Sequence, residues 1–409
     1  MKFCTNCGTP LSDEAKFCSS CGKPCASDER SQATQTVDDI QGVKQNVQAS
    51  NEGWFDRITR SINEFAGGVG SIRPPLKTIF GGVFKKHSKE DSEEIFICGT
   101  AQTTPTLGED GKAWPSTWLW SRILLAFATA FLLLHLCCAT FGNLNAYPGV
   151  MVIGAFTVPI AILVFFFELN TPRNISFFNV IKYFLIGGCA SLAVTLLLFS
   201  LFNDSENQWI SAVLTGIVEE VAKLAVVAFI IWNNPKAKYG LNGLLIGAAV
   251  GAGFAAFESS GYAFRICLET LLSTLNISAA YDGMVDNILL RAFLAPGGHV
   301  IWAAMSGYAL MLVKGDKQLS MSFLNRKAFW KIFWIPIALH AVWDMPLVLG
   351  NSLVAILIPL VFLILAGWVV TFVFIGNSLS QLGALLCEQE QQIQKEPSNI
   401  SIEVPTMVD

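Results

Sequence analysis

Glu219, Glu220 and Lys223 interrupt an otherwise apolar run, GIVEEVAKLAVV, and three later apolar runs are interrupted in the same way. GFAAFESSGYAF carries Glu258 and Tyr262, PGGHVIW carries His299, and ALHAVWDMP carries His340 and Asp344. Glu219 and Lys223, Glu258 and Tyr262, and His340 and Asp344 are each four residues apart, so on a helix each pair projects from one face. A carboxylate beside a neutral imidazole can take a proton from water, and the hydroxide can attack a peptide carbonyl. A second imidazole, or a nearby Lys or Tyr donor, can stabilise the oxyanion, which makes this hydrolysis without a covalent intermediate. Glutamate and histidine are also zinc ligands, so a metallopeptidase built on the same cluster stays open. A proton- or ion-coupled transporter would use the same residue types. The sequence contains neither a Gly-x-Ser-x-Gly elbow nor an HExxH pattern.

The elements that must position these groups lie in lipid. The chain is 53% hydrophobic and only 14% charged, with a mean hydropathy of +0.50, too apolar for a soluble protein whose surface must carry charge. Its net charge of −4 is segregated into the N-terminal region, short loops and the tail, and no nucleic-acid partner is expected. The apolar segments predict an all-α polytopic membrane bundle of about eight transmembrane helices, over 119–141, 148–168, 177–201, 209–232, 240–264, 288–313, 329–349 and 352–376. Lys and Arg fall in the breaks after the second, fourth and sixth segments, which predicts cytosolic N- and C-termini. A loop of about 23 residues after the fifth segment, with Arg265, Asp282 and Asp286, is then expected outside. On this topology Glu219, His299 and His340 lie about 15 Å from the outer helix ends and Glu258 about 9 Å. Charge at that depth costs at least a few kcal/mol per group. Taken singly, each group has a bland reading, an ion pair that neutralises itself or a satisfied core histidine. Their coincidence on four consecutive segments predicts one polar cavity.

The set Glu219-Glu220-x2-Lys223, Phe257-Glu258-x3-Tyr262, His299 and His340-x3-Asp344, in that order on four consecutive segments, resembles the PrsW family of intramembrane proteases. That family is in turn similar to the type II CAAX prenyl proteases, which share a double-glutamate motif and two later histidine motifs. The resemblance covers about residues 118–376. It implies that Glu219 or Glu220 with His299 activates water, while Glu258, His340 and Asp344 complete the site. The implied substrates are membrane-anchored regulators such as anti-sigma factors, cut near the outer face of a bacterial cytoplasmic membrane. Two departures tell against prenylated substrates: Lys223 follows the double glutamate where the CAAX proteases have a later Arg, and Tyr262 stands where they have His.

Cys4-x2-Cys7 and Cys18-x2-Cys21, each followed by Gly, supply four thiolates at the spacing of a structural zinc site. They predict a zinc ribbon over 1–25 whose folding energy comes from the metal and whose partner the sequence does not name. Cys25 reads as a surplus thiol. Residues 26–117 read as a linker and an unassigned cytosolic region, with an amphipathic helix at Trp54–Phe65 and a candidate strand at EEIFICGT. Residues 118–376 form the expected transmembrane protease-like domain, and 377–409 a loose cytosolic tail. His135 reads as packing or lipid-facing, and Glu168 and Arg173 as interfacial anchors. The apolar run begins only after about 115 polar residues, so no cleavable signal peptide is expected.

Overall fold

A backbone in hydrocarbon must satisfy its hydrogen bonds internally, and helices do so within one segment. The computed structural model describes residues 2–3, 10–11, 53–106, 113–201, 206–315, 317–347 and 353–395. We number the principal helices α1 (Trp54–Phe65), α2 (Lys89–Ile97), α3 (Leu119–Phe141), α4 (Tyr147–Leu169) and α5 (Phe177–Leu201, with a π turn at Tyr183–Gly187). They continue as α6 (Gln208–Trp232), α7 (Gly240–Thr274), α8 (Ile277–Leu294), α9 (His299–Lys314), α10 (Lys327–Asp344) and α11 (Leu353–Lys395). The chain divides into two units, Met1–Arg57 and Ile58–Asp409. In the first, strands β1 (Lys2–Phe3) and β2 (Pro10–Leu11) pair antiparallel, Lys2 opposite Leu11 and Phe3 opposite Pro10. Cys4, Cys7, Cys18, Cys21 and Cys25 lie outside the described residues.

The second unit is an all-α membrane bundle. Among the described residues, six helical stretches are long and apolar enough to cross a membrane: Leu119–Phe141, Leu144–Leu169, Phe177–Leu201, Gly240–Thr274, Ile277–Lys314 and Val354–Cys387. Helices α6 and α10, of 25 and 18 residues, stand apart because each carries charge, and these are the helices of the double glutamate and of His340.

Four expectations are corrected. The external loop after the fifth segment is helical: α7 runs on to Thr274, and α8 starts at Ile277, so Arg265, Asp282 and Asp286 sit on helices. Leu275, at φ 55°, ends α7 in the left-handed conformation, and Asn276 caps α8 by accepting from the amides of Ser278 and Ala279. The sixth segment is broken. A 3-10 turn over Ala295–Gly297, containing Pro296, separates α8 from α9, so His299 opens a helix instead of lying inside one. EEIFICGT is not a strand: Ser88 and Asp91 form a reciprocal capping box, 3.1 and 2.7 Å, that starts α2. Finally, α11 continues helical to Lys395, well past 376.

Two polar side chains also take definite roles. Glu168 accepts from the amides of Trp118, Leu119 and Trp120 at 2.8, 2.9 and 3.0 Å, capping α3 from the end of α4. His135 Nδ1 lies 2.8 Å from the Tyr281 hydroxyl, joining α3 to α8.

Helix α7 is the spine, buried without interruption from Leu241 to Ala256. Its Gly243, Gly247 and Gly251, spaced by four, let α9 approach at backbone distance. A Cβ on Gly247 would stand 2.0 Å from the Ala303 carbonyl oxygen, and one on Gly251 would stand 2.3 Å from that of His299. In the other direction, a Cβ on Gly307 would stand 2.0 Å from the Gly243 oxygen. Small residues at such crossings are the usual solution in lipid, where apolar burial alone does not drive helix pairing. Gly261, on the same helix, has nothing within 4 Å of its Cβ position. Gly247→Val should therefore destabilise the bundle by roughly 1–3 kcal/mol or more through overpacking, whereas Gly261→Ala should be neutral or stabilising by up to about 1 kcal/mol. Thermal unfolding in detergent separates the two; equal melting temperatures would remove the close-packing account.

Candidate functional site

The fold brings five helices to one cavity. Helix α6 supplies Glu219, Glu220 and Lys223, α7 supplies Glu258, α8 Arg291, α9 His299, and α10 His340 and Asp344. Behind the cavity wall, the fully buried Lys223 ammonium lies 2.7 Å from Glu220 Oε1 and 3.5 Å from Glu219 Oε2, and donates to His299 Nδ1 at 2.9 Å. It also sits 4.5 Å from the centre of the Phe254 ring, a cation–π contact that helps offset its lost hydration.

The two imidazoles are held alike. His340 donates from Nδ1 to Glu220 Oε1 at 2.8 Å, which leaves its Nε2 lone pair free. His299 donates from Nε2 to Glu258 Oε2 at 3.0 Å, which leaves the lone pair on Nδ1. Both lone-pair nitrogens face one atom, Glu219 Oε2, at 3.6 Å from His340 Nε2 and 3.8 Å from His299 Nδ1. That oxygen is buried and makes no hydrogen bond. Each histidine is thus oriented by its own carboxylate, the arrangement that fixes tautomer and raises basicity in imidazole ligands.

The cavity they share has a volume of about 150 Å³, with Trp302 and Trp343 in its wall. Of the eight residues singled out from the sequence, Glu219, Glu258, Tyr262, His299, His340 and Asp344 line it, and Glu220 and Lys223 stand behind. Asp344 Oδ2 lies 3.5 Å from His340 Nε2 with its side chain one-third exposed, at the lip of the cavity. Tyr262 contributes its ring, with the guanidinium groups of Arg291 at 4.5 Å and Arg265 at 4.7 Å from its centre.

Arg291 is the candidate site residue that sequence reasoning missed. It pairs with Glu258, donates from Nε to Ser259 Oγ at 2.8 Å and lines the cavity, so it fixes the carboxylate that fixes His299. The signal was present, since Arg291 falls inside the apolar run 288–313, where a charge by itself calls for a partner.

The electrostatics and the donor set suit a cation. Glu219, Glu220, Glu258 and Asp344 face two fixed positive charges, Lys223 and Arg291. Glu219, His299 and His340 offer ligand atoms that all lie within 4.8 Å of one another. Two imidazoles and one glutamate are the three-ligand set of many catalytic zinc sites, which keep a further position for water. A larger cavity of about 510 Å³ lies elsewhere, beside Trp114, Trp118 and Glu168; none of the site residues lines it, and its Glu168 is committed to capping α3.

Residues 176–375 match the family described as PrsW family intramembrane metalloprotease, and residues 3–24 match a zinc-ribbon domain. The first match opens at α5, so α3 and α4 fall outside it, a narrower span than 118–376. The chain is 24% identical to Protease PrsW of Halalkalibacterium halodurans over 219 residues, 53% of this chain and 91% of that protein. It is 28% identical to Protease PrsW of Clostridioides difficile over 195 residues, 46% of this chain and 74% of that protein. No solved structure matches. Through residues 176–375, therefore, the membrane domain is similar to the PrsW family of intramembrane proteases, and residues 3–24 carry the zinc-ribbon match at the N-terminus.

Proposed function

We propose that the chain hydrolyses a peptide bond of membrane-anchored protein substrates in the cavity between α6, α7, α9 and α10. The convergence of two carboxylate-backed imidazoles on the buried, unsatisfied Glu219 Oε2 carries this reading. Glu219, His299 and His340 would hold a zinc ion, which when bound supplies Lewis-acid polarisation of the scissile carbonyl and of water. Glu220 and Glu258 orient the imidazoles, and Arg291 in turn holds Glu258. Asp344, at the lip and 3.5 Å from His340, receives a proton from the attacking water and returns it to the leaving amine. Lys223 fixes Glu220 and offsets part of the buried negative charge. In the N-terminal ribbon, Cys4, Cys7, Cys18 and Cys21 hold a structural zinc.

One observation favours a metal-free variant of the same chemistry. Lys223 Nζ already donates to His299 Nδ1, so a cation occupies that lone pair and the Glu219–imidazole pair would activate water by itself. Substrates of the anti-sigma-factor kind and a bacterial cytoplasmic membrane with both termini cytosolic belong to this proposal. They rest on the resemblance and on the Lys/Arg pattern of the breaks.

Glu219→Gln, His299→Ala and His340→Ala should each abolish cleavage of a single-pass substrate that the wild type cuts, by at least about 100-fold, the loss typical of a missing acid–base or ligand group. Cleavage at the wild-type rate by any of the three removes the catalytic assignment. Metal content decides between the two variants of the mechanism. Elemental analysis of the full chain should give two zinc ions, one lost in a Cys4→Ser/Cys7→Ser variant and the other in His340→Ala. A count of one, unchanged by His340→Ala, would leave Lys223 as the site's cation and discard the metal.

A further inference from the structure

A cavity of about 150 Å³ sunk among five helices does not explain how a membrane-embedded peptide bond reaches it. A second cavity of about 400 Å³ supplies a route. It is lined by Gln208, Ser211, Thr215 and Pro346, and by Tyr262 and Asp344, and it shares Thr215, Tyr262 and Asp344 with the catalytic cavity. Those three residues stand between the two cavities as a common wall. The groove opens at the end of the bundle where α6 begins and α10 finishes.

The sequence of α6 matches this groove. Gln208, Ser211, Thr215 and Glu219 follow at spacings of three, four and four residues, a polar stripe along one face that ends on the site glutamate. Ile210 and Val213, between them in sequence, are 52% and 38% exposed and apolar, as a lipid-facing surface requires. Ser211 and Thr215 are part-buried and line the groove.

It answers a specific need of the substrate. A transmembrane helix satisfies its own backbone, and its carbonyls are closed to attack until it unwinds. Unwinding in hydrocarbon frees N–H and C=O groups at several kcal/mol each. The Gln amide and the Ser and Thr hydroxyls are both donors and acceptors, the groups that can take over those backbone bonds.

We propose that the Gln208–Ser211–Thr215 face of α6 is the substrate track. It holds the end of a substrate's transmembrane segment unwound and extended, and Thr215, Tyr262 and Asp344 form the neck through which that strand enters the catalytic cavity. This rests on the peptidase reading above and names what that site takes. From Gln208 to Glu219 is roughly 16 Å along a helix, and an extended chain covers that in about five residues. The substrate is thus a membrane helix cut about five residues inside its end, and the class favoured is one whose end is easily unwound, rich in Gly or Ser.

The test uses the full chain in phospholipid nanodiscs. Ser211→Cys and Thr215→Cys should react with a membrane-impermeant maleimide, with sites located by mass spectrometry, at least ten times faster than Val213→Cys. On a single-pass reporter with a Gly/Ser-rich end, Thr215→Leu should lower kcat/KM at least tenfold, chiefly through KM. Thr215→Ser should restore it, and Val213→Leu should leave it unchanged. Labelling of positions 211 and 215 no faster than 213, or full activity in Thr215→Leu, overturns the track while the peptidase reading stands. Cleavage by Glu219→Gln instead overturns the peptidase reading, and the labelling pattern still reports on the groove.

Discussion

Lys223 has no exposed surface, and an ammonium at that depth survives only if its charge is answered on every side. Its answers come from two glutamates of its own helix and from the His299 imidazole of another. Through Glu220 the same network reaches His340, and through His299 it reaches Glu258 and then Arg291. Remove the lysine, and at least one buried carboxylate and one imidazole lose the partner that holds them. The Lys223–His299, Glu220–His340, His299–Glu258 and Glu258–Arg291 bonds each tie one helix to another, so the groups proposed to do chemistry are among those that fix the relative placement of α6 to α10.

Polar pairing alone would not place His299. Its backbone is brought onto α7 by the absence of a side chain at Gly251, and the helix it opens begins there because Pro296 and Gly297 end the preceding one. The break gives the cavity two further properties. The N-terminal end of α9, with its partial positive charge, borders a cavity lined by Glu219, Glu258 and Asp344. Irregular backbone at membrane depth is tolerated where it borders a polar cavity, as Gly298 does here. The same turn lets α8 approach from the other side and deliver Arg291 to Glu258.

The N-terminal unit follows a different logic. A segment of about 25 residues cannot bury enough apolar surface to fold, and a zinc-ribbon match on 3–24 with paired CxxC knuckles points to metal as the source of its stability. Its two short strands bracket the first knuckle, as a ribbon requires. The membrane domain draws its stability from helix packing and buried ion pairs instead.

The sequence by itself determined the class of the protein, most of its long apolar helices and the residues worth watching. These are local properties: hydropathy over about 20 residues, spacing of four on a helix face, and the rarity of charge in an apolar run. It could also mark Arg291, by the same rule that marked Glu258, had the rule been applied to the start of the sixth segment. Tertiary structure decided the rest. Which nitrogen of each histidine carries a proton follows from Glu220 and Glu258, residues 120 and 41 positions away in sequence. That Glu219, and not Glu220, faces both lone pairs depends on the rotation of α6, which neighbouring residues in sequence cannot reveal. The conversion of an expected external loop into the α7–α8 helical pair, and the restart at His299, turn on caps and on close backbone contacts whose partners lie on other helices. Local pattern specifies what each helix offers, and only packing specifies to whom.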